Sequence, residues 1–428
     1  MTWDAAREYG MARGGAIDDW HPPVMIMLWR ALTRVARGPG PMLRVQLGLV
    51  FAGFALLARW AWRKGRPVLA WMLAGAALFP VPLAIEGAVL KDCLMAGAVL
   101  SAAGLVADGR RGARLVAATL LLFAATLRFN AFLACLPWLV AAAPAGWREM
   151  RVRLAGTVAG ATLLLVLATP LANRAIGAER SGVELSQIVF DLGGITYFSG
   201  VDAFPPLPVR EPVAANAHCY SPALWDPYAW WVDQPCPIGF VSVREAFARR
   251  GVNPYGWWLG QIARHPIAYA RHRLAHLNRN TRLWVADRPP TLVPPQPDPN
   301  PYGYPPPSNA LRRAIDTAAD ALARTPLGWP AWWIAVAAGV LLLGRSVSPI
   351  ARLAAGSALL YGAGYGVFSV ASDLRYHLWT TIAALVAVLA AASDVRAASA
   401  GRTRLALAMM PAMLVVVTGL TARRLLTA

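Results

Sequence analysis

The sequence predicts an all-α polytopic membrane protein. Of its 428 residues, 57% are hydrophobic and only 15% are charged, whereas soluble proteins carry roughly a quarter charged residues. Several apolar runs reach the roughly 17–25 residues that a helix needs to cross a bilayer. The net charge of +19 is spread through short loops between these runs, which is typical of membrane topology and not of a nucleic-acid-binding face. We therefore expect no nucleic-acid partner.

Ten apolar segments are predicted to be transmembrane helices. They cover residues 42–62, 67–85, 90–107, 113–127, 129–143, 152–173, 329–344, 350–370, 376–393 and 404–421. This divides the chain into four parts. They are a first outer loop with interfacial helices (1–40), the first half of the bundle (41–175), a long periplasmic loop domain (176–327) and the second half of the bundle (328–428).

Basic residues cluster in every second loop. The loops "WRKGRP", "DGRRGAR", "WREMRVR", "RSVSPIAR" and "DVRAASAGRTR" are cytoplasmic by the positive-inside rule. The other short loops hold one basic residue each, Lys91, Arg128 or Arg375, and face outward. Only Arg423 and Arg424 depart from the rule. The protein is therefore expected in a bacterial inner membrane, with its N-terminal loop and its long loop domain on the periplasmic side.

The outward-facing loops mix acids and bases, whereas the inner loops are almost purely basic. The outer set comprises Asp4, Asp18, Asp19, His21, Glu86, Lys91, Asp92, Arg128, Asn130, Asp373, Arg375, Tyr376 and His377. Ionisable residues at membrane depth are costly, and by default they mark a functional site. Each one could also be a simple interfacial anchor or helix cap. Because the topology places them all on the outer side of the membrane, we expect six of them to converge on one cavity: Asp4, Asp19, His21, Lys91, Arg128 and Arg375.

Carboxylates beside arginines at the outer interface suit transfer from a lipid-linked sugar phosphate. Arginine and lysine can hold the phosphate and stabilise it as a leaving group. An aspartate can take the proton from an acceptor hydroxyl that attacks the sugar C1. A single displacement of this kind inverts the anomeric centre.

The N-terminal stretch "TWDAAREYGMARGGAIDDWHPPVMIMLW" resembles the first outer loop of GT-C-type membrane glycosyltransferases. These polyprenyl-phosphate-sugar enzymes are related to protein O-mannosyltransferases and to the lipid A aminoarabinose transferase. "VLKDCLMAG", "LRFNAFLACLPWL" and "HPIAYARHRLAHL" resemble the Lys-Asp, Arg-x-Asn and His-Pro-x-x-Tyr segments of a bacterial branch. The ordered series covers most of the chain but lacks the family's first helix. We therefore expect in-frame codons upstream of Met1 to encode that helix.

The resemblance implies a GT-C-like fold and a set of site residues. Asp4 matches the catalytic or metal-associated acid, and Asp19 and His21 form the second part of the catalytic set, with Asp18 a weaker choice. The expected substrate-binding residues are Lys91, Asp92, Arg128, Asn130, Arg375 and His377. No cofactor is certain. The three catalytic candidates could hold a divalent metal, although their spacing is not diagnostic. "HPP" could equally be a break that starts a helix.

The long loop contains two cysteines, Cys219 and Cys236. Outside the cytoplasm they would form a disulfide, with Cα atoms within roughly 7 Å. Cys93 and Cys135 are expected to pack as small hydrophobic residues. The segment "PPTLVPPQPDPNPYGYPPPSN" predicts an extended, polyproline-like chain. "GWWLGQIARHPIAYARHRLAHLNRNTRLW" predicts a basic amphipathic helix on the membrane, with Arg264, Arg271, Arg273, Arg279 and Arg282 meeting anionic lipid headgroups.

The expected activity is transfer of a sugar from a polyprenyl-phosphate donor to an acceptor hydroxyl at the outer face of the membrane. The acceptor could be a glycan, a lipid or a protein. An O-antigen-type polymerase or ligase is an alternative, because it also uses outer-loop arginines and lipid carriers. A lipid or solute transporter is a second alternative. A transporter would favour internal repeats and charges at mid-membrane, and the sequence shows no repeat.

Overall fold

The computed structural model describes residues 1–232, 236–286, 298–304, 309–398 and 402–427. These residues form α-helices and short 3-10 helices, without a strand among them. The α-helices are α1 (Trp3–Ala12), α2 (Pro23–Thr33), α3 (Gly40–Arg63), α4 (Pro67–Ala76), α5 (Pro80–Glu86), α6 (Lys91–Asp108), α7 (Arg111–Ala125), α8 (Ala131–Ala142), α9 (Arg151–Ile176), α10 (Leu185–Ser199), α11 (Pro212–Cys219), α12 (Phe240–Arg250), α13 (Pro254–Arg264), α14 (Pro266–Thr281), α15 (Ala310–Ala323), α16 (Pro330–Leu342), α17 (Pro349–Gly364), α18 (Leu378–Ala398) and α19 (Arg402–Thr427). The all-α class is therefore confirmed.

The chain forms two compact units. The first unit comprises Met1–Glu179, Ala286–Ala363 and Leu374–Ala428. The second unit comprises Arg180–Val285 and Gly364–Asp373. Each unit is described separately below.

Each of the ten predicted apolar segments is helical, but ten membrane spans are not confirmed. Four helical stretches are long and apolar enough to cross a membrane: Gly40–Arg63, Arg151–Ile176, Leu374–Val395 and Thr403–Leu426. The pair α4 and α5, bent by 46°, would add a fifth. Helices α7, α8, α16 and α17 have only 15, 12, 13 and 16 residues. At about 1.5 Å per residue they fall short of a hydrocarbon core of about 30 Å.

Helices α3 and α6 pack closely because glycines remove side chains from their interface. A Cβ atom on Gly53 would lie 2.7 Å from the backbone carbonyl carbon of Leu100. A Cβ on Gly104 would lie 2.5 Å from the Cβ of Leu56. Small residues of this kind allow helix backbones to approach in a membrane. Helices α9 and α19 differ, because only 6% and 11% of their apolar windows are buried, which leaves most of their apolar side chains exposed.

Ion pairs define one end of the first unit. Arg63 at the end of α3 pairs with Asp108 at the end of α6, Nη1 to Oδ1 2.6 Å. Arg66, just before α4, pairs with Asp394 near the end of α18. Helices α3, α6 and α18 therefore point toward the same end, which we call the Asp108 end. The opposite end holds the starts of α6 and α18, and we call it the Lys91 end.

The predicted loop domain 176–327 has different bounds from the compact second unit, Arg180–Val285 with Gly364–Asp373. The described part of residues 298–327 belongs to the first unit, because several polar contacts hold it there. Asp298 Oδ2 accepts a hydrogen bond of 2.6 Å from the backbone N–H of Trp3. Arg312 Nη1 on α15 donates to the carbonyl of Gly87 at 3.1 Å. Most of the predicted polyproline-like segment (289–309) lies outside the described residues, namely 289–297 and 305–308.

The second unit is built around α10. Its buried Asp191 accepts a hydrogen bond from Trp258 Nε1 at 2.9 Å, lies 3.0 Å from His272 Nε2 and pairs with Arg273. These contacts tie α13 and α14 to α10. Cys219 and Cys236 form a disulfide, with Cα atoms 5.7 Å apart, within the limit expected from the sequence.

The predicted basic amphipathic helix is two helices, because Pro266 starts α14 directly after the end of α13. Of its five arginines, Arg264, Arg271 and Arg279 are exposed. Arg273 and Arg282 are buried. Arg273 Nη1 donates to the carbonyl of Ser369 at 2.7 Å within the second unit. The prediction that all five meet lipid headgroups is therefore wrong for these two, because they are buried in the second unit.

Candidate functional site at the Lys91 end

Helix α1 carries two carboxylates into the interior of the first unit. The side chain of Thr2 caps this helix by accepting from the N–H of Ala5 at 3.2 Å. Asp4 and Glu8 lie four residues apart and so share one helix face. Ala5 and Tyr9, on the same side, are buried. Packing of this apolar side thus fixes the direction of both acids.

Asp4 makes an ion pair with Arg375, which lies in the short 3-10 helix Leu374–His377 before α18. Arg375 Nη1 donates to Asp4 Oδ2 at 3.0 Å. Burial opposes ionisation of Asp4, but the charges of Arg375 and Lys91, with a smaller contribution from His21 when that ring is protonated, outweigh it and hold the pKa of the Asp4 carboxyl well below its usual range. Asp4, His21, Lys91 and Arg375 therefore act on one another electrostatically, although they are scattered through the sequence.

Glu8 and His21 form a second acid–base pair next to Asp4. His21 Nδ1 lies 3.2 Å from Glu8 Oε1, and both side chains are about 1% exposed. The contact between Nδ1 and Oε1 is within ion-pair distance, but neither ring nitrogen of His21 and neither carboxylate oxygen of Glu8 makes a hydrogen bond among the described residues. The half-exposed ring of Trp3 lies 6.4 Å from the His21 ring, centroid to centroid. A histidine paired through one nitrogen has its other nitrogen left for proton transfer.

Glu8 is not among the site residues predicted from the sequence. The sequence feature that could have identified Glu8 is its spacing of four residues from Asp4, which places both acids on one face of a short helix. Likewise, "HPP" does begin a helix, since Pro22 and Pro23 start α2. The two prolines can therefore start α2 while His21 takes part in the candidate site.

Asp92 and Arg128 form a further ion pair, with side chains 1% and 8% exposed. Asp92 lies in the first turn of α6, and Arg128 lies between α7 and α8. The Arg128 guanidinium sits 4.3 Å from the ring centroid of Tyr376, and Arg375 sits 5.5 Å from the same centroid. Tyr376 thereby connects the two arginines, at distances typical of cation–π contacts.

Behind these pairs lies a group of buried polar side chains. Gln46 Nε2 donates to the Glu86 carbonyl at 3.0 Å and to Glu86 Oε2 at 3.2 Å. Asn130 is fully buried, and its Oδ1 and Nδ2 have no hydrogen-bond partner among the described residues. Asp92 Oδ2 is likewise buried without a hydrogen-bond partner among the described residues. Such groups are rare in folded proteins because leaving them unsatisfied costs roughly 1–3 kcal/mol each. Their presence beside the ion pairs makes the Lys91 end the candidate site.

Other predicted site residues are used differently. Asp18 Oδ2 pairs with Arg7 Nη2 at 2.7 Å, and its Oδ1 accepts from the N–H of Trp20. The N–H of Asp19 donates to the carbonyl of Glu179 at 3.0 Å. His377 is buried, with Nδ1 3.3 Å from Thr380 Oγ1 on the next helical turn. Asp373 belongs to the second unit.

The residues present do not fit a divalent metal. Among the described residues, no group of three or more His, Cys, Asp or Glu side chains could hold one. Asp4 faces the guanidinium of Arg375, and a cation in that place competes with a metal.

A cavity of about 1170 Å³ lies elsewhere in the first unit. It is lined by Arg111, Arg114 and Arg153 together with apolar residues of α7, α8 and α9. Because α7 starts three residues after Asp108, the cavity lies at the Asp108 end, away from Asp4 and His21.

Comparison with known protein families, with curated proteins and with solved structures gives no match for this chain.

Proposed function

We propose that the first unit is a GT-C-type glycosyltransferase. It would transfer a sugar from a polyprenyl-phosphate donor to an acceptor hydroxyl at the outer face of a bacterial inner membrane. The observation that supports the proposal is the convergence of Asp4, His21, Lys91 and Arg375 at one end of apolar helices. The donor's hydrocarbon tail belongs in the bilayer, and its phosphate lies at headgroup depth.

Lys91 and Arg375 are the groups that would bind the donor phosphate. Arginine offers a planar pair of N–H donors that matches phosphate, and lysine adds a compact positive charge. Arg128 neutralises Asp92 and lies against Tyr376, which also contacts Arg375. It would therefore support Arg375 more than compete for the phosphate.

The sequence predicted an aspartate as the base, whereas the geometry favours His21. A carboxyl whose pKa is held well below its usual range is a weak proton acceptor, which argues against Asp4. His21 has one nitrogen beside Glu8 and the other without a partner among the described residues. In this proposal Glu8 orients His21, and Asp4 orients Arg375.

The chemical step is one displacement. The acceptor oxygen forms a bond to the sugar C1 while its proton moves to His21 Nε2. The bond between C1 and the phosphate oxygen breaks, and its electron pair leaves on the phosphate beside Lys91 and Arg375. Preorganised positive charge lowers the barrier because it meets the charge that develops on the leaving group.

The test uses purified full-length protein in proteoliposomes and farnesyl phosphate esters of several hexoses and pentoses. We expect release of farnesyl phosphate with at least one ester, and a loss of roughly 100-fold in Arg375→Gln. Arg63→Gln is the matched control, because Arg63 makes an ion pair at the Asp108 end. It should keep its activity. Absence of turnover with every ester in the wild-type protein would refute the proposal.

A further inference from the structure

A groove at the Asp108 end of the first unit has the features of a lipid-binding site. It lies between the start of α7, the end of α8 and the start of α9. Its volume of about 1170 Å³ exceeds the roughly 300–1,000 Å³ of ordinary small-molecule pockets. Helix α9, which forms one wall, is among the least buried apolar helices of the chain. The groove therefore opens sideways toward lipid.

The groove has an apolar interior and a basic rim. Leu115, Leu139 and Leu164 line the interior. Arg111, Arg114 and Arg153 lie at the rim, each in the first turn of its helix. Within the described part of the chain, none of the three arginines has a carboxylate within ion-pair distance. Neighbouring Arg110, in contrast, pairs with Asp108. Three positive charges beside an apolar groove are thus left for an outside anion.

Hydrogen bonds from α9 hold the loop at the rim of the groove in place. Thr157 Oγ1 on α9 donates to the carbonyl of Trp147 at 3.1 Å. Arg153 Nη1 donates to the carbonyl of Gly146 at 3.4 Å. Gly156 and Gly160 line the wall of α9, and a Cβ added at either one would meet no atom within 4 Å. The absence of side chains at these two positions is what makes room beside α9.

We infer that this groove binds an anionic phospholipid, with its acyl chains along the apolar wall and its phosphate among Arg111, Arg114 and Arg153. Basic pockets between membrane helices are suited to such headgroups. The exposed Trp147 ring lies where aromatic residues favour the interface between headgroups and acyl chains. The positive-inside rule assigns these loops to the cytoplasmic leaflet. This site is distinct from the one at the Lys91 end and does not depend on the proposed transferase activity.

The test measures lipid bound to delipidated full-length protein by native mass spectrometry. The probes are phosphatidylglycerol and phosphatidylcholine with identical acyl chains. We expect a preference of at least about tenfold for phosphatidylglycerol. The triple variant Arg111→Gln, Arg114→Gln, Arg153→Gln should abolish this preference. A phosphatidylglycerol with a photoreactive acyl chain should crosslink to peptides that contain residues 111–118 and 153–164.

A second variant separates the groove from general surface charge. Gly160→Leu fills the groove without a clash at its Cβ and keeps all three arginines, so it should also reduce phosphatidylglycerol binding. Gly48→Leu on α3 is the matched control, because Gly48 also has open space around it and lies outside the groove. Equal binding of both lipids, or unchanged binding in the triple variant and in Gly160→Leu, would overturn the inference. Displacement of the lipid by inorganic phosphate alone would also overturn it, because the site would then recognise a free anion.

Discussion

The carboxylate of Asp4 and the guanidinium of Arg375 are 371 residues apart in sequence and 3.0 Å apart in the structure. This contact links the first helix of the chain to the start of α18. It also sets the charge state of the site, since Arg375 is the strongest of the cations that keep the Asp4 carboxyl ionised. An incoming phosphate would compete with Asp4 for the same guanidinium.

The Asp4→Asn variant therefore should separate binding from transfer. Removal of one negative charge beside Arg375 and Lys91 should tighten farnesyl phosphate binding by several-fold. Sugar transfer should fall by roughly 100-fold, because Arg375 loses the partner that orients it. Isothermal titration and turnover measurements on the same preparation test both parts. Weaker binding of farnesyl phosphate would contradict this role for Asp4.

The role of His21 as base predicts chemical rescue. His21→Gly should lose roughly 100-fold or more in transfer, and added imidazole should restore part of it by occupying the space left by the side chain. Glu8→Gln should give a smaller loss, because Glu8 only orients the ring. Farnesyl phosphate binding, measured in parallel, should change little in both variants. If His21→Gln transfers sugar as fast as the wild type, another group is the base even though the transferase activity stands.

The buried pair of Asp92 and Arg128 predicts a non-additive effect on stability. Asp92→Asn leaves a buried arginine charge without its partner, which costs on the order of 3–5 kcal/mol and should lower the Tm in detergent. The double variant Asp92→Asn, Arg128→Gln should be more stable than the single variant. Thermal unfolding followed by tryptophan fluorescence measures all three proteins. A double variant with a Tm below that of Asp92→Asn would argue against a buried ion pair.

His276 in the second unit predicts a loss of stability in acid. Burial and the nearby charge of Arg273 lower the pKa of His276 to about 3, while an unfolded histidine titrates near 6.5. Between these values the unfolded chain binds a proton that the folded chain does not, so stability rises with pH across this window. His272 and Asp191 are the other titratable groups nearby.

His276→Asn removes this contribution. From pH 7 to pH 4, the wild type should lose about 3 kcal/mol more than the variant in the free energy of opening α14. Hydrogen exchange of peptides from residues 266–281, corrected for intrinsic rates, measures that difference in the full-length protein. Parallel pH profiles for the two proteins would show that His276 is protonated in the folded state.

The disulfide between Cys219 and Cys236 closes a short loop, with a sequence separation of 17. Its removal in Cys219→Ser, Cys236→Ser should destabilise the second unit by about 3 kcal/mol, seen as faster hydrogen exchange in α10 and α14. Treatment of the wild type with dithiothreitol should have the same effect, and treatment of the double variant should have none. Mass spectrometry of unreduced, denatured protein should find only two free thiols, since Cys93 and Cys135 are unpaired.

The sequence predicted the features that depend on local hydropathy and on which side of the membrane each loop lies. Apolar runs located ten helical segments, and the regular alternation of arginines placed Lys91, Arg128 and Arg375 at one face. The number of spans was not confirmed because hydropathy does not report the length at which a helix breaks, as at Pro80 between α4 and α5. The sequence also could not predict which charged residues pair with each other. Nothing in the sequence says that Asp18 pairs with Arg7, that Glu8 pairs with His21, or that Arg273 is buried.

The glycine-lined contact between α3 and α6 has a consequence for how material reaches this protein. Where Gly53 meets the backbone of Leu100, there is no side-chain layer that could swing aside. The seam is therefore closed to a water-borne solute that would travel along the helix axes. A molecule anchored by a hydrocarbon tail has no need of such a passage, since lateral diffusion in one leaflet brings its polar head to the helix ends. A closed seam is thus compatible with the proposed transferase, since its lipid-linked donor would stay within one leaflet.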